Sequence, residues 1–204
     1  TGIEDNDALR SHIENLTSQI ELLIEEINQP LEVFTPHSNE VFHYAVDDWL
    51  EDSESANSTY GHISTWNTYS VTDMNGMFAG AESFNQDIGN WDVSSVTDMS
   101  YMFYSVEGFN QDIGDWDVSS VTDMSYMFSY TDSFNQDLSN WDVSSVTDMK
   151  NMFAIADSFN GDLSNWDASS VTDMSRMFRL AENFNGNLSG LSLIHISEPT
   201  RRTT

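Results

Sequence analysis

The chain has 204 residues, and its 34 acidic side chains against 6 basic ones give a formal net charge of −28 at pH 7. Nucleic acids and anionic membrane surfaces attract Lys and Arg, so this charge argues against both as partners. There is no cysteine, which excludes disulfides, thiolate zinc sites and thiol nucleophiles. No apolar run reaches the length of a membrane span. We therefore expect no nucleic-acid partner and no span in this stretch.

The N-terminal segment has the periodicity of an amphipathic helix. Its apolar residues alternate spacings of four and three, and they are Leu9, Ile13, Leu16, Ile20, Leu23 and Ile27. This pattern predicts a helix over about residues 7–28, closed by Asn28-Gln29-Pro30. The helix has two interpretations: a coiled-coil seam that oligomerises the protein, or a single helix laid across the open end of the repeats that follow. The run has fewer than the three or four heptads typical of a coiled coil.

Residues 31–60 carry no repeat. Val41 to Val46 is predicted to be a short strand, and Glu51 to Thr59 an acidic loop. Because the ends of repeat arrays need atypical covering units, residues 1–59 are predicted to be an N-terminal helical cap.

From residue 60 onward the sequence repeats every 25 residues. The segment from Phe84 to Phe103 returns almost unchanged from Phe109, Phe134 and Phe159, and begins again at Phe184. Five tryptophans keep the same spacing: Trp66, Trp91, Trp116, Trp141 and Trp166. A fixed period in the twenties is typical of solenoids, so residues 60–190 are predicted to hold about five stacked repeats.

Each repeat divides into two predicted elements. Phe84–Ile88 has the alternation of a short strand, and Ser95–Phe103 has the helical spacing of a capped helix of about two turns. Stacking them predicts a leucine-rich-repeat-like right-handed α/β solenoid, with a parallel sheet on one side and short helices on the other. Asn85 and its copies would form an asparagine ladder. The ten methionines and the tryptophan column are predicted to be core rather than binding surface.

The repeat has a recognisable family signature. The motif Trp-Asp-Val-Ser-Ser-Val-Thr-Asp-Met-Ser-Xaa-Met-Phe, followed by Ser-Phe-Asn-Gln-Asp-Leu-Ser-Asn-Trp, resembles the BspA-like leucine-rich-repeat surface proteins over about residues 60–190. The resemblance implies a secreted or surface-anchored array with an adhesive role, and it brings no catalytic residues. We therefore expect a non-enzymatic extracellular or cell-surface protein, structural or adhesive, that binds a protein or matrix partner through an extended surface. A Ca²⁺-stabilised or glycan-binding array is the alternative.

The residues themselves also argue against catalysis. The five histidines do not recur with the repeat, and no phosphate loop, nucleophile elbow or zinc signature is present. The one site hypothesis with a mechanism is cation binding, since stacking would bring recurring carboxylates about 5 Å apart and Ca²⁺ prefers oxygen ligands. The alternative is that the Asp98 column caps helices and the other carboxylates solvate the surface. The candidate ligands are Asp87, Asp112, Asp137, Asp162, Asp92, Asp117, Asp142 and Asp167, with the Asp98 column beside them.

The C-terminal residues break the pattern. Leu191 stands where the next tryptophan is due, and the sequence that follows resembles a translated transposase-type sequencing adapter. Residues 191–204 are therefore expected to be non-native and without packed partners.

Overall fold

A computed structural model describes residues 2–27, 32–188 and 191, and the chain divides into two compact units, residues 1–32 and 33–204. The first unit contains helix α1, Gly2–Ile27, of 26 residues. The predicted N-terminal helix is therefore confirmed. All side chains from residue 8 to residue 24 are exposed, the apolar ones included.

The second unit begins with two short helices, α2 (Asn39–Glu51) and α3 (Ser53–Tyr60), followed by a 3₁₀ turn over Ile63–Thr65. The strand predicted over Val41–Val46 is wrong, because this segment lies inside α2. Ser38 caps the helix by accepting the Val41 N–H on its hydroxyl, at 3.3 Å.

The buried face of α2 explains why it is a helix. Phe42, Ala45, Val46 and Trp49 are buried, and their spacing of three, one and three places them on one side of a helix. The Phe42 ring contacts the rings of Trp66 and Trp91, with centroids 6.1 and 5.2 Å apart. α2 therefore covers the first tryptophans of the repeats.

The predicted α/β solenoid with a parallel sheet is wrong. Within residues 2–27, 32–188 and 191 there is no β-strand, and the only β pairing is a row of single-residue parallel bridges. The bridges join Asp73, Asp98, Asp123, Asp148 and Asp173 in succession. The repeats do stack, but through irregular backbone rather than through strands and helices.

The helix predicted over Ser95–Phe103 is a series of tight turns. From Met99 to Val106 the N–H groups alternate in direction: Met102 and Tyr104 donate back three residues, whereas Tyr101 and Phe103 donate to carbonyls of the next repeat, at 2.9 Å. Every second N–H therefore bonds between repeats, and an α-helical ladder cannot form. The apolar spacing that predicted a helix instead points the same side chains into the core.

The alternation requires unusual backbone torsions. Among the described residues, eight non-glycine residues have φ between 51° and 61°, and they are Tyr101, Ser105, Tyr126, Tyr130, Asn151, Ile155, Arg176 and Leu180. Such torsions are strained for side-chain-bearing residues and persist only where surrounding structure holds them. Backbone N–H bonds to the next repeat hold six of them, those from Tyr101 to Ile155. In the first repeat the same two positions are Gly76 and Gly80, for which this backbone is unstrained.

The strand predicted over Phe84–Ile88 is replaced by a side-chain ladder. The N–H of Asn110 donates to the amide oxygen of Asn85 at 2.9 Å, and Asn135, Asn160 and Asn185 continue the series. The predicted asparagine ladder is therefore present, although its side chains are exposed on the surface. Because the side chains accept these N–H groups, no backbone ladder forms.

The core consists of aromatic columns. One runs through Phe78, Phe103, Phe128, Phe153 and Phe178, with successive centroids 5.5–5.7 Å apart. A second runs from Phe84 to Phe184 at 25-residue steps, 5.9–6.2 Å apart. All ten methionines and the tryptophans of the repeats are buried, which confirms the prediction that both sets are core.

The tryptophans also bind the repeats together. Trp91 donates its indole N–H to the Ile63 carbonyl of the preceding repeat, and the bond recurs at Trp116, Trp141 and Trp166. At the C-terminus, Leu191 is buried and keeps the backbone bond that a tryptophan would make there, to Leu188 at 3.0 Å. Leu193, Ile194 and Ile196, which bear on the adapter interpretation, lie outside the described residues.

Candidate functional surface: a turn ridge of tyrosines and cations

The outer positions of the repeat turns form one continuous surface, which we call the turn ridge. It comprises the outward residues of segments 75–80, 100–105, 125–130, 150–155 and 175–180. Neighbouring segments are hydrogen-bonded along their backbones, as from Tyr126 to Lys150 and from Asn151 to Ser175. Each segment carries a buried Met-Phe pair beneath the ridge. The inward positions are nearly constant between repeats, whereas the outward ones vary.

Tyrosine dominates the two repeats that begin at Phe84 and Phe109. Tyr101 and Tyr126 are equivalent residues whose rings stack at 4.6 Å and 8°. Tyr104 joins them, with centroids 5.7 Å from Tyr101 and 5.6 Å from Tyr130. Tyr101 and Tyr130 are 38% and 40% exposed. Four of the chain's seven tyrosines therefore form one surface cluster.

The next two repeats carry cations at the same turns. Lys150, Arg176 and Arg179 are the Lys and Arg residues that the structure describes in the second unit, and all three lie on the turn ridge. Arg176 occupies the position of Tyr101, and Arg179 that of Tyr104. These three side chains are the positive charges that the described part of the second unit offers to a partner's negative groups.

A row of aspartates lies alongside the ridge and holds its turns. In each repeat the carboxylate accepts the N–H two residues later, as from Ser100 to Asp98 and from Lys150 to Asp148, at 2.8 Å. Burial raises the pKa of Asp148 despite its bond to Lys150, and the charges of Asp123 and Asp173 raise it further. Burial also raises the pKa of Tyr101, with smaller contributions from neighbouring tyrosines and aspartates. Its phenol therefore stays neutral at physiological pH and can donate a hydrogen bond.

Two aspartates in one repeat should respond oppositely to loss of charge. Asp148→Asn is expected to raise the melting temperature at pH 7, because its charged form is disfavoured in the folded state. Asp142→Asn should lower it, because the hydroxyl and N–H of Ser144 hold the pKa of Asp142 down by stabilising its charge. Thermal melts between pH 3 and 7 measure both effects.

The pH dependence has a definite sign in each case. A raised folded pKa means that the native state binds the proton more tightly, so the gain from Asp148→Asn should shrink as the pH falls through that pKa. The loss from Asp142→Asn should also shrink toward acid, since protonation removes the charge that Ser144 stabilises. A drop in melting temperature for Asp148→Asn at pH 7 would contradict the assignment.

The predicted cation ligands each have a local hydrogen-bond partner. Asp87 and Asp112 accept the N–H groups of Gly89 and Gly114 at 3.0 Å, and Asp137 and Asp162 accept those of Ser139 and Ser164. The second column is bonded in the same way: Asp92, Asp117, Asp142 and Asp167 accept from Ser94, Ser119, Ser144 and Ser169. Ser139 lowers the pKa of Asp137 through its N–H and then its hydroxyl. Each carboxylate thus stabilises a turn.

Among the described residues, no three or more histidine, aspartate or glutamate side chains come together to hold a metal ion. Cation binding nevertheless stays a prediction. With every column carboxylate bonded locally, we expect Ca²⁺ and Mg²⁺ at equal ionic strength to raise the melting temperature equally, by screening the negative charge. Differential scanning fluorimetry with each salt and with EDTA measures this. A rise specific to Ca²⁺ would establish a binding site by mass action.

The turn ridge was not predicted from the sequence, because the prediction used only those positions of the repeat that stay constant. The signal was present at Xaa in the Met-Ser-Xaa-Met-Phe motif and in the two residues after it. Reading down the repeats, Xaa is Gly76, Tyr101, Tyr126, Asn151 and Arg176. Four of these five are exposed or half-buried, whereas Asn151 is buried. Positions that vary in an otherwise fixed repeat are those on which the fold itself places the least constraint.

Stacked irregular repeats with a constant core and a varied outer ridge define a class of repeat-array protein. The chain belongs to the DUF285 family, described as a Mycoplasma protein of unknown function, whose model matches residues 45–128 and 106–200 and so more than half of the sequence. No curated protein and no solved structure matches the chain. Among the described residues, no helix combines the length and apolar character needed to cross a membrane.

Proposed function

We propose that the chain is a non-enzymatic extracellular or cell-surface repeat protein, structural and adhesive, which binds a protein or matrix partner through the turn ridge. The observation that carries the proposal is the composition of that ridge. Its tyrosine cluster and the described cations of the second unit share one set of variable turns. The BspA-like resemblance supports the surface location and the adhesive role.

Tyrosine and arginine are the residue types that protein interfaces favour. Both are enriched at interfaces and among the residues that contribute most to binding, while lysine and acidic residues are depleted there. A tyrosine supplies a large amphipathic area with few torsions to order. The backbone of the ridge is already fixed by its bonds between repeats, so binding should require little further ordering.

The ring geometry favours a protein over a glycan. Sugar recognition by aromatic residues depends on an open ring face, but Tyr101 and Tyr126 stack on each other at 4.6 Å, which covers one face of each ring. Tyr101 keeps 38% of its surface exposed beside this stack. A protein surface with acidic and apolar groups fits these features and the neighbouring arginines. Glycan binding stays an alternative prediction.

The test compares the full chain with a double variant, Tyr101→Asn and Tyr126→Asn, on arrays of immobilised matrix proteins and of glycans. Asparagine is the natural residue at the equivalent position 151, where it has φ of 51°, so the variant should keep the fold. We expect the wild type to bind at least one matrix protein and the variant to bind it about 30-fold more weakly, as for loss of a central aromatic anchor.

Tyr69→Asn is the matched control, since Tyr69 is 55% exposed and lies off the ridge. It should bind as the wild type does. Equal binding by the double variant would overturn the role of the ridge, and binding to glycans alone would favour the alternative. Protease treatment of intact cells that make the protein tests the location, because a surface protein should be cleaved while the cells stay intact.

We also propose that the chain oligomerises through the helix predicted over residues 7–28, which coincides with α1 as far as Ile27. Several copies would present several ridges to a matrix at once. Linked binding surfaces raise the avidity well above the affinity of one surface, without new contacts. This suits an adhesive protein whose single ridge is small.

A further inference from the structure

We infer that α1 pairs with α1 of a second copy of this chain as a parallel, in-register, two-stranded coiled coil. The inference rests on the proposed oligomerisation and adds the number of strands, their direction and their register. It concerns the part of α1 whose side chains are described, residues 8–24.

The first argument is the exposed apolar seam. Leu9, Ile13, Leu16, Ile20 and Leu23 lie along one face of α1 at alternating spacings of four and three. They are 45–57% exposed, which leaves a continuous stripe of large apolar side chains in water. A stripe with this 3.5-residue period matches the seam of a left-handed coiled coil.

The second argument is which apolar residue stands where. The seam has two alternating sets of positions, each repeating every seven residues. One set is isoleucine, at Ile13 and Ile20, and the other is leucine, at Leu9, Leu16 and Leu23. Each isoleucine precedes a leucine by three residues, so the isoleucines are at the a positions and the leucines at the d positions of the heptad. β-Branched residues at a with leucine at d favour two parallel strands. Isoleucine at both positions, or leucine at a with isoleucine at d, favours three or four strands. The segregation in α1 is complete over the described side chains.

The third argument is the placement of charge. The two acids between residues 8 and 24 are Glu14 and Glu21, and each follows a seam isoleucine directly, at a position that points away from the partner. Within this range the positions flanking the seam carry no acid; they are Arg10, His12, Thr17, Gln19 and Ile24. Asp5 and Glu26 occupy flanking positions outside it. Because flanking acids would repel across a parallel pair, residues 8–24 are where a second copy fits best in a chain with a net charge of −28.

The first experiment measures the mass of the full chain by sedimentation equilibrium over a wide concentration range. We expect association to twice the 23.1 kDa of one chain. Ile13→Glu with Ile20→Glu should give a monomer, since it places acids within the seam. Leu22→Glu is the control: Leu22 is 65% exposed but lies off the seam, so this variant should still dimerise.

The second experiment determines direction and register. The chain has no cysteine, so Leu9→Cys introduces a single thiol near the start of the seam. In a parallel, in-register pair the two Cys side chains face each other, and mild oxidation should cross-link nearly all of the dimer. In an antiparallel pair they lie far apart and should not react.

Each result has one meaning. A monomer at all concentrations, or a dimer that survives the double seam change, overturns both the inference and the proposed oligomerisation. A trimer or tetramer, or a dimer that resists cross-linking, overturns the inference alone. Binding by the turn ridge is measured in a separate experiment, and its outcome does not decide whether α1 pairs.

Discussion

Replacing Phe128 by alanine is expected to lower the free energy of unfolding by about 3–5 kcal/mol, the range for a fully buried phenylalanine. Its ring is 0% exposed and lies in the middle of the stack. It stacks on Phe103 and Phe153 at 5.5 Å on either side, and on Phe134 at 4.1 Å. The rigid turns above it cannot collapse into the void without breaking their bonds to the next repeat. Urea unfolding followed by tryptophan fluorescence measures the change.

Phe184→Ala is the matched control, because it removes the same atoms from the last described phenylalanine of the second column. Phe184 is half-buried and contacts Phe159 and Phe178, at 5.9 and 3.9 Å, in the preceding repeat. Because stacked repeats are stabilised by nearest-neighbour interfaces, a loss at the end should cost much less than a loss in the middle. Equal losses for the two variants would show that stacking on both sides adds nothing to the contribution of a phenylalanine to stability.

Much of the inside of this protein could be predicted from its sequence. The 25-residue period identified the repeats, and the apolar positions identified the core, because burial depends on residue type more than on the backbone that presents it. The predicted helix would bury Met99, Met102 and Phe103, and the observed series of turns buries the same side chains. The asparagine ladder was likewise predicted from periodicity alone.

The backbone could not be predicted in the same way. A spacing of three and four indicates a helix when N–H groups bond within the segment, but from residue 99 onward every second N–H bonds to the neighbouring repeat. Those bonds also hold Tyr101 and Ser105 at positive φ, which single-residue preferences disfavour. A local pattern does not contain this information, since the partners lie 24 residues away in sequence. The strand prediction for Val41–Val46 is wrong for a simpler reason. The Ser38 cap and the helical spacing of the apolar residues up to Trp49 outweigh the strand preference of the β-branched residues in this segment.

The candidate site shows the same division. The carboxylate columns were conspicuous in the sequence because they recur, yet recurrence reflects a shared structural task, the acceptance of an N–H two residues on. The turn ridge was inconspicuous because it varies. In a repeat protein, therefore, constant polar positions point to folding, and variable exposed positions point to recognition.

Replacing Trp141 by phenylalanine is expected to cost about 0.5–1.5 kcal/mol from one hydrogen bond alone, with a further loss from the smaller ring. The buried indole N–H donates to the Ile113 carbonyl of the preceding repeat at 3.0 Å. Without it, that carbonyl keeps the backbone N–H of Trp116, at 3.2 Å, but loses its bond to the next repeat in a site closed to water. Because the bond joins two repeats, its loss should weaken their interface and broaden the unfolding transition.

Trp66→Phe separates this effect from the loss of ring volume. Trp66 is as buried as Trp141, but its N–H donates to Gly61, five residues earlier, in a partly exposed setting. Water can therefore replace the lost donor at Gly61 and not at Ile113, so Trp66→Phe should cost less in urea unfolding and leave the sharpness of the transition unchanged. If Trp66→Phe proved as costly as Trp141→Phe, the indoles would act only by filling space. The repeats would then be held together by their phenylalanine columns and backbone bonds.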